Sequence, residues 1–228
     1  MDRLIKSAAD LRYLLAKGYP RSAALTFVGN HYQLTRTERD FLNRGVYPDS
    51  VARARREKMV RPEQTAGRSL GVDGYNVLIT MESALLGRDL IEADDGLIRD
   101  IAGLYASYRP SEVTTQALNF ILDFLKHIKP DTVLFLLDAP MSHSGEFARR
   151  ITSVLADLGL SGQAKAVSAP EKELSRFPGL VATSDSVLID RTPEPFDLAG
   201  HLIKKYLPGA KIITLTQPCD RIDRGNTG

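Results

Sequence analysis

Residues 69–80 read SLGVDGYNVLIT: a short apolar run closes on Asp73, passes through Gly74-Tyr75-Asn76 and turns apolar again. The first half reads as a buried β-strand. A carboxylate and a carboxamide at its mouth are costly to bury without partners, so their position calls for a reason. Two later runs end the same way, "DTVLFLLD" on Asp138 and "LVATSD" on Asp185. If these strands lie parallel, their acids meet at one edge of the sheet.

The surrounding pattern supports parallel strands. Apolar strands are expected near 69–72, 132–137, 164–167, 180–183 and 211–215, and amphipathic helices fit "TTQALNFILDFLKHI", "SGEFARRITSVLADLG" and "FDLAGHLIKKYL". Strands alternating with helices predict an α/β domain whose mostly parallel sheet is covered on both faces. Ligand groups on such sheets gather at the carboxyl ends of the strands. Upstream, Leu4, Ile5, Ala8, Leu11, Leu14 and Leu15 mark one helical face, ended by Gly18-Tyr19-Pro20. A second helix is expected from Ser22. Thr35 and Glu38 form a capping box for a third, ending near Gly45, and Asp49 or Ser50 opens a fourth. The expected organisation is a small all-α module at 1–60, a polar linker at 61–68 and the α/β domain at 69–228.

Composition is that of an ordinary globular chain, 43% hydrophobic and 25% charged over 228 residues. The charge is uneven: residues 1–68 hold 14 Lys and Arg against 7 Asp and Glu, while residues 69–228 hold 16 against 21. A basic module beside an acidic one suits binding of a phosphate backbone by the first and of metal by the second, or simple mutual neutralisation. The single cysteine, Cys219, forms no intramolecular disulfide and points to a reducing cytoplasm. Asp2, Lys6 and Asp10 interrupt any signal-peptide core. The longest apolar run, Val133–Leu137, is too short to span a bilayer.

Three clustered carboxylates repel one another unless a cation sits among them. Mg²⁺ or Mn²⁺, which take oxygen ligands at fixed positions, are the expected cofactors. Metal so held activates water and neutralises charge on a phosphoryl oxygen. No Gly-rich phosphate loop or nucleophilic triad competes, so phosphodiester hydrolysis is the expected reaction class.

"LGVDGYNVLI" resembles the opening strand motif of NYN-type nucleases in the PIN-like superfamily, and "LFLLDAP" and "VATSDS" resemble their later acidic strand ends. The similarity covers about residues 68–220. The whole chain also looks like an uncharacterised archaeal and bacterial family in which a helical segment precedes a PIN-like domain. The resemblance implies a three-layer α/β/α fold and metal-dependent cleavage of RNA, single-stranded in the first instance. It carries over Asp73, Asp138 and Asp185 as metal-binding acids and Asn76 as a site residue, and it points to a homodimer. Related nucleases place a further acid on a helix between later strands. Here the acid-rich "IEADDGLIRDI" comes earlier; Asp95 is the expected fourth ligand, with Asp94, Glu92 and Asp100 as rivals and a solvated helix N-terminus as the plain alternative.

Secondary candidates surround these acids. Ser144 is expected either to cap a helix or to receive phosphate at its start, with His143 and Glu146 close by. Thr183, Ser184 and Ser186 either meet substrate or close a turn. Asp197 fits a helix cap better than a ligand, near Asp190 and His201. Tyr105, Tyr108 and Arg109 suit base stacking and phosphate contact or an ordinary core. Arg53, Arg55, Arg56, Lys58 and Arg61 form the densest basic run, either an RNA contact or a solvated helix face. Two other functions stay open: a non-catalytic RNA-binding or ribonucleoprotein-assembly factor on the same scaffold, and a small-molecule phosphohydrolase.

Overall fold

The computed structural model describes residues 1–101 and 108–215; Tyr105 and Cys219 lie outside them. The chain divides into two units.

The first unit holds Met1–Glu57 with Asp89–Ile101 and the strand beginning at Ile212. Four helices open it: α1 (Asp2–Ala16), α2 (Arg21–His31), α3 (Arg36–Gly45) and α4 (Asp49–Lys58). The capping box of α3 is present, with the Glu38 backbone N–H donating to Thr35 Oγ1 at 3.3 Å and the Thr35 N–H donating to Glu38 at 2.8 Å. Leu4, Ala8, Leu11, Ala24, Val28, Phe41 and Leu42 bury the apolar faces of α1, α2 and α3 together with Ile91 and Leu215. Those last two residues belong to a small sheet of β2 (Leu90–Glu92), β3 (Ile98–Asp100) and β8 (Ile212–Thr214) and the residue that follows it. β2 pairs antiparallel with β3 and parallel with β8. The helical module expected at 1–60 therefore has a core completed by residues far along the chain. The segment "IEADDGLIRDI" is a hairpin rather than a helix start, turning at Asp95-Gly96 with Gly96 at φ +84°, a conformation glycine adopts freely.

The second unit runs from Lys58 to Arg88 and continues over the described residues to Lys211. It is α/β, with five parallel strands in the order β5 (Gly162–Val167), β4 (Val133–Asp138), β1 (Leu70–Asp73), β6 (Leu180–Ala182), β7 (Pro195–Phe196). Side chains alternate between faces along a strand. Val72, Phe135, Ala182 and Phe196 share one face through their register. Phe124 of α6 (Glu112–Ile128) stacks on Phe196 there, and α5 (Gly74–Leu85) and α10 (Leu198–Tyr206) pack against α6. Gly71, Leu134, Leu136 and Val181 face the other way. Leu174 of α8 (Pro170–Leu174), Phe177 and Leu188 of α9 (Ser186–Arg191) cover that face. The result is three layers. α7 (Ser144–Asp157) lies against β5, where the Thr152 hydroxyl accepts the Ala164 N–H at 2.8 Å and seals part of the sheet edge. The strand expected at 211–215 is β8, and it pairs in the small sheet of the first unit, not in this one.

Candidate functional site

The same alternation that builds the layers aims the acids. Asp73 shares the parity of Gly71, and Asp138 that of Leu134 and Leu136, so both carboxylates leave the carboxyl ends of adjacent strands on the α8–α9 face. Asp185 sits beyond the end of β6 as the N-cap of α9, its Oδ1 accepting the Leu188 N–H at 2.8 Å. Pro170 and Glu171 open α8 just after β5. Three strand ends and one short helix thus bring four acids to one end of the second unit.

Electrostatics shows how near they come. Burial pushes the Asp73 carboxyl up to about 7, and the charges of Asp185, Asp138 and Glu171 add to the rise while a hydrogen bond from Thr183 opposes it. Asp138 is raised by burial and then by Glu171. Among the described residues no group of three or more His, Cys, Asp or Glu side chains is already gathered tightly enough to hold an ion. The donor set is all oxygen: four carboxylates and the hydroxyls of Thr183 and Ser184. That composition fits a hard divalent cation such as Mg²⁺ or Mn²⁺.

The polar residues of the opening motif are tied to the turn after β6. Thr183 Oγ1 donates to Asp73 Oδ2 at 2.8 Å and accepts the Asp185 N–H at 3.0 Å. Asn76 Oδ1 accepts both the N–H and the hydroxyl of Ser184, at 2.8 and 3.0 Å. Asn76 is the third residue of α5, and its Nδ2 has no acceptor among the described residues. Gly74 opens that helix because nothing larger fits. A Cβ there would lie 2.4 Å from Leu137 Cδ2 and 2.8 Å from the Leu136 carbonyl oxygen. Asp-Gly-Tyr-Asn is therefore one device: a carboxylate at a strand end, a glycine that lets the helix start flush against β4, a buried tyrosine and an amide that pins the neighbouring loop.

Several expected site residues belong elsewhere. Asp95 is not a fourth ligand. Both its oxygens are taken by guanidinium groups in the first unit, Arg99 at 2.7 and 2.8 Å and Arg55 at 2.9 Å. Burial alone would raise this carboxyl, and the two arginines more than reverse it, leaving it below its ordinary value. Among its rivals, Asp94 is gripped by Arg12 at 2.7 and 2.8 Å, and Asp100 meets Arg44 at 3.2 Å. Arg55 is buried in that pair and is no RNA contact; the exposed Arg56 donates to the Asp94 carbonyl. Lys58 donates to the Thr192 carbonyl at 3.0 Å. Ser144 is not the cap of α7 but its first residue, buried, its hydroxyl donating to the Ala139 carbonyl at 3.1 Å. Tyr108 is a core residue that donates to Glu82, whereas Arg109 is exposed. Asp197 is a helix cap, accepting the Gly200 N–H at 2.9 Å. Glu171 is what the sequence reading missed. The signal was "SAPEKEL", a proline-led helix start directly after a strand, although Glu173 carries the same signal.

Residues 62–201 match the family described as "Domain of unknown function (DUF5616)". The chain belongs to the DUF5616 family. Its DUF5616 segment is preceded at residues 3–58 by a match to "Protein of unknown function (DUF434)". Both boundaries fall beside the linker expected at 61–68, although β2 and β3 pack with the helices of the first unit. The chain is similar to "Uncharacterized protein MJ0935" of Methanocaldococcus jannaschii, 33% identical over 184 residues, 81% of this chain and 88% of the relative. No solved structure matches it. Among the described residues no helix is long and apolar enough to cross a membrane.

Proposed function

We propose that this DUF5616 protein is a Mg²⁺- or Mn²⁺-dependent ribonuclease of the PIN-like, NYN type, acting in the cytoplasm on single-stranded RNA. The observation that carries this reading is the Asp73 carboxyl. It is buried at a strand mouth and oriented by Thr183, and burial first, with three further acids adding to it, lifts it to about 7. A purely structural carboxylate at such a depth would be matched by a guanidinium, as Asp95 is. A divalent cation, when bound, would supply a lowered pKa for attacking water and compensation for charge developing on the phosphoryl oxygens.

The chain's own groups do the rest. Asp73, Asp138, Asp185 and Glu171 would hold the cation, and Thr183, by donating to one oxygen of Asp73, leaves the other for it. Asn76 holds the Ser184 turn through Oδ1 and keeps Nδ2 as a donor for a phosphoryl oxygen. Asp95 has no part in the reaction, and Ser144 serves the loop that carries Asp138 rather than the substrate.

Labelled single-stranded RNA incubated with Mn²⁺, Mg²⁺ or chelator tests the reading. Cleavage is expected with either metal and should fall roughly 100-fold or more in Asp73→Asn, Asp185→Asn and Glu171→Gln. Cleavage that persists in Asp73→Asn comes from a contaminant or from another site and overturns the assignment. RNA bound tightly but left intact favours the non-catalytic RNA-binding reading. Release of phosphate from nucleotides, with RNA untouched, favours the small-molecule phosphohydrolase.

A further inference from the structure

From Leu11 to Thr37 the chain carries no acidic residue, yet it holds Arg12, Lys17, Arg21 and Arg36 and four aromatic residues, Tyr13, Tyr19, Phe27 and Tyr32. Exposed apolar groups gathered on one surface mark interaction sites, whereas single ones are ordinary. Here Phe27 is 66%, Tyr13 64% and Tyr19 57% exposed. Phe27 and His31 stand one turn apart on α2 with their rings nearly parallel, 6° between planes and 6.5 Å between centroids. The Tyr32 ring meets His31 edge-on at 4.8 Å, and its hydroxyl is anchored to Asp10 at 2.7 Å. On the neighbouring helix Lys17 lies over the Tyr13 ring at 5.5 Å.

We infer that Phe27 and His31 clamp an unstacked base of single-stranded RNA, with Tyr13, Lys17 and Tyr32 extending the contact along the strand. The inference rests on the ribonuclease reading only for its choice of RNA as ligand. It moves the RNA contact from α4, where Arg55 is spent on Asp95, to the α1–α2 surface. Exposed, nearly parallel rings suit stacking with a flat ligand, and the excess of Lys and Arg over Asp and Glu in residues 1–68, 14 against 7, suits an anionic backbone. A protein partner would be better served by rings packed into one continuous patch.

The test is fluorescence anisotropy of a short fluorescein-labelled single-stranded RNA in the presence of chelator, so that binding is read without cleavage. Phe27→Ala and His31→Ala should each weaken binding roughly 5- to 100-fold. Tyr206→Ala, an exposed ring in the second unit, should leave it unchanged. RNA containing 2-aminopurine should lose fluorescence on binding the wild type and regain it with Phe27→Ala. Unchanged affinity in both clamp variants overturns the inference even if the wild type cleaves RNA. Binding lost in the clamp variants while the wild type fails to cleave RNA with any metal upholds the clamp and defeats the nuclease reading. A change of oligomeric state in Phe27→Ala, with RNA affinity intact, assigns the patch to contact between copies of the chain and overturns the inference.

Discussion

Asp73 and Asp95 are both buried carboxylates, and their surroundings give them opposite behaviour. Burial, which no guanidinium offsets among the described residues, puts the folded-state pKa of Asp73 at about 7, above that of the unfolded chain. The sign follows from linkage: the protonated form is the one the fold favours, so the stabilisation is complete at acid pH and is lost as pH rises through about 7. Asp73→Asn should therefore be more stable than the wild type above pH 7, by on the order of 2–4 kcal/mol, and indistinguishable from it below pH 4. Urea denaturation across that range, in chelator, measures the difference. Asp95 is the reverse case. Removing it leaves Arg55 and Arg99 buried without their counter-ion, and Asp95→Ala should cost about 3–5 kcal/mol while the proposed cleavage, per folded molecule, stays the same. Glu38 gives a third test, since its hydrogen bond from Arg3 and that from the Thr35 backbone hold it down at about 2. Its contribution is present above the ordinary carboxylate range and fades as pH drops toward 2, so Glu38→Gln should flatten the acid limb of the melting profile there.

Among the elements, the start of α5 is the tightest joint near the site. Gly74→Ala would press a methyl group onto Leu137 and the Leu136 carbonyl. A loss of about 1–3 kcal/mol is expected from such overpacking, readable as a lower denaturation midpoint, with the proposed cleavage reduced because Asp73 moves with the helix start. What the sequence made legible follows local rules. The Thr35 cap, the Asp197 cap and the strand runs ending at Asp73 and Asp138 are all written in nearby residues. α5 was not read as a helix because its residues from Gly74 to Ala84 are buried all round, which erases the one-sided period that reveals an amphipathic helix. Asp95-Gly96 did carry a hairpin signal, but the neighbouring acids drew the reading toward metal. The arginine partners of Asp95 lie about 40 residues upstream at Arg55 and only 4 downstream at Arg99, and spacing alone does not disclose the first. β8 has an ordinary strand pattern, and an apolar run does not name the strand it pairs with.

At the scale of the whole molecule, the linker and the packing divide the chain differently. A fragment of residues 1–60 would contain all four N-terminal helices but neither Ile91 and Leu215, which close their core, nor the Asp94 and Asp95 that pair Arg12 and Arg55. Such a fragment should be largely unfolded, with poorly dispersed amide resonances, despite matching a family along most of its length. Adding back the hairpin alone would restore the ion pairs but still lack β8, which aligns with β2 from Leu90↔Ile212 to Glu92↔Thr214. This last pairing sets an order of events on the ribosome. The helices emerge first, yet their sheet waits for a strand made after nearly the whole α/β unit, so the part of the protein synthesised earliest is the part completed last. A message cut short before residue 212 would yield a polypeptide whose N-terminal unit never closes.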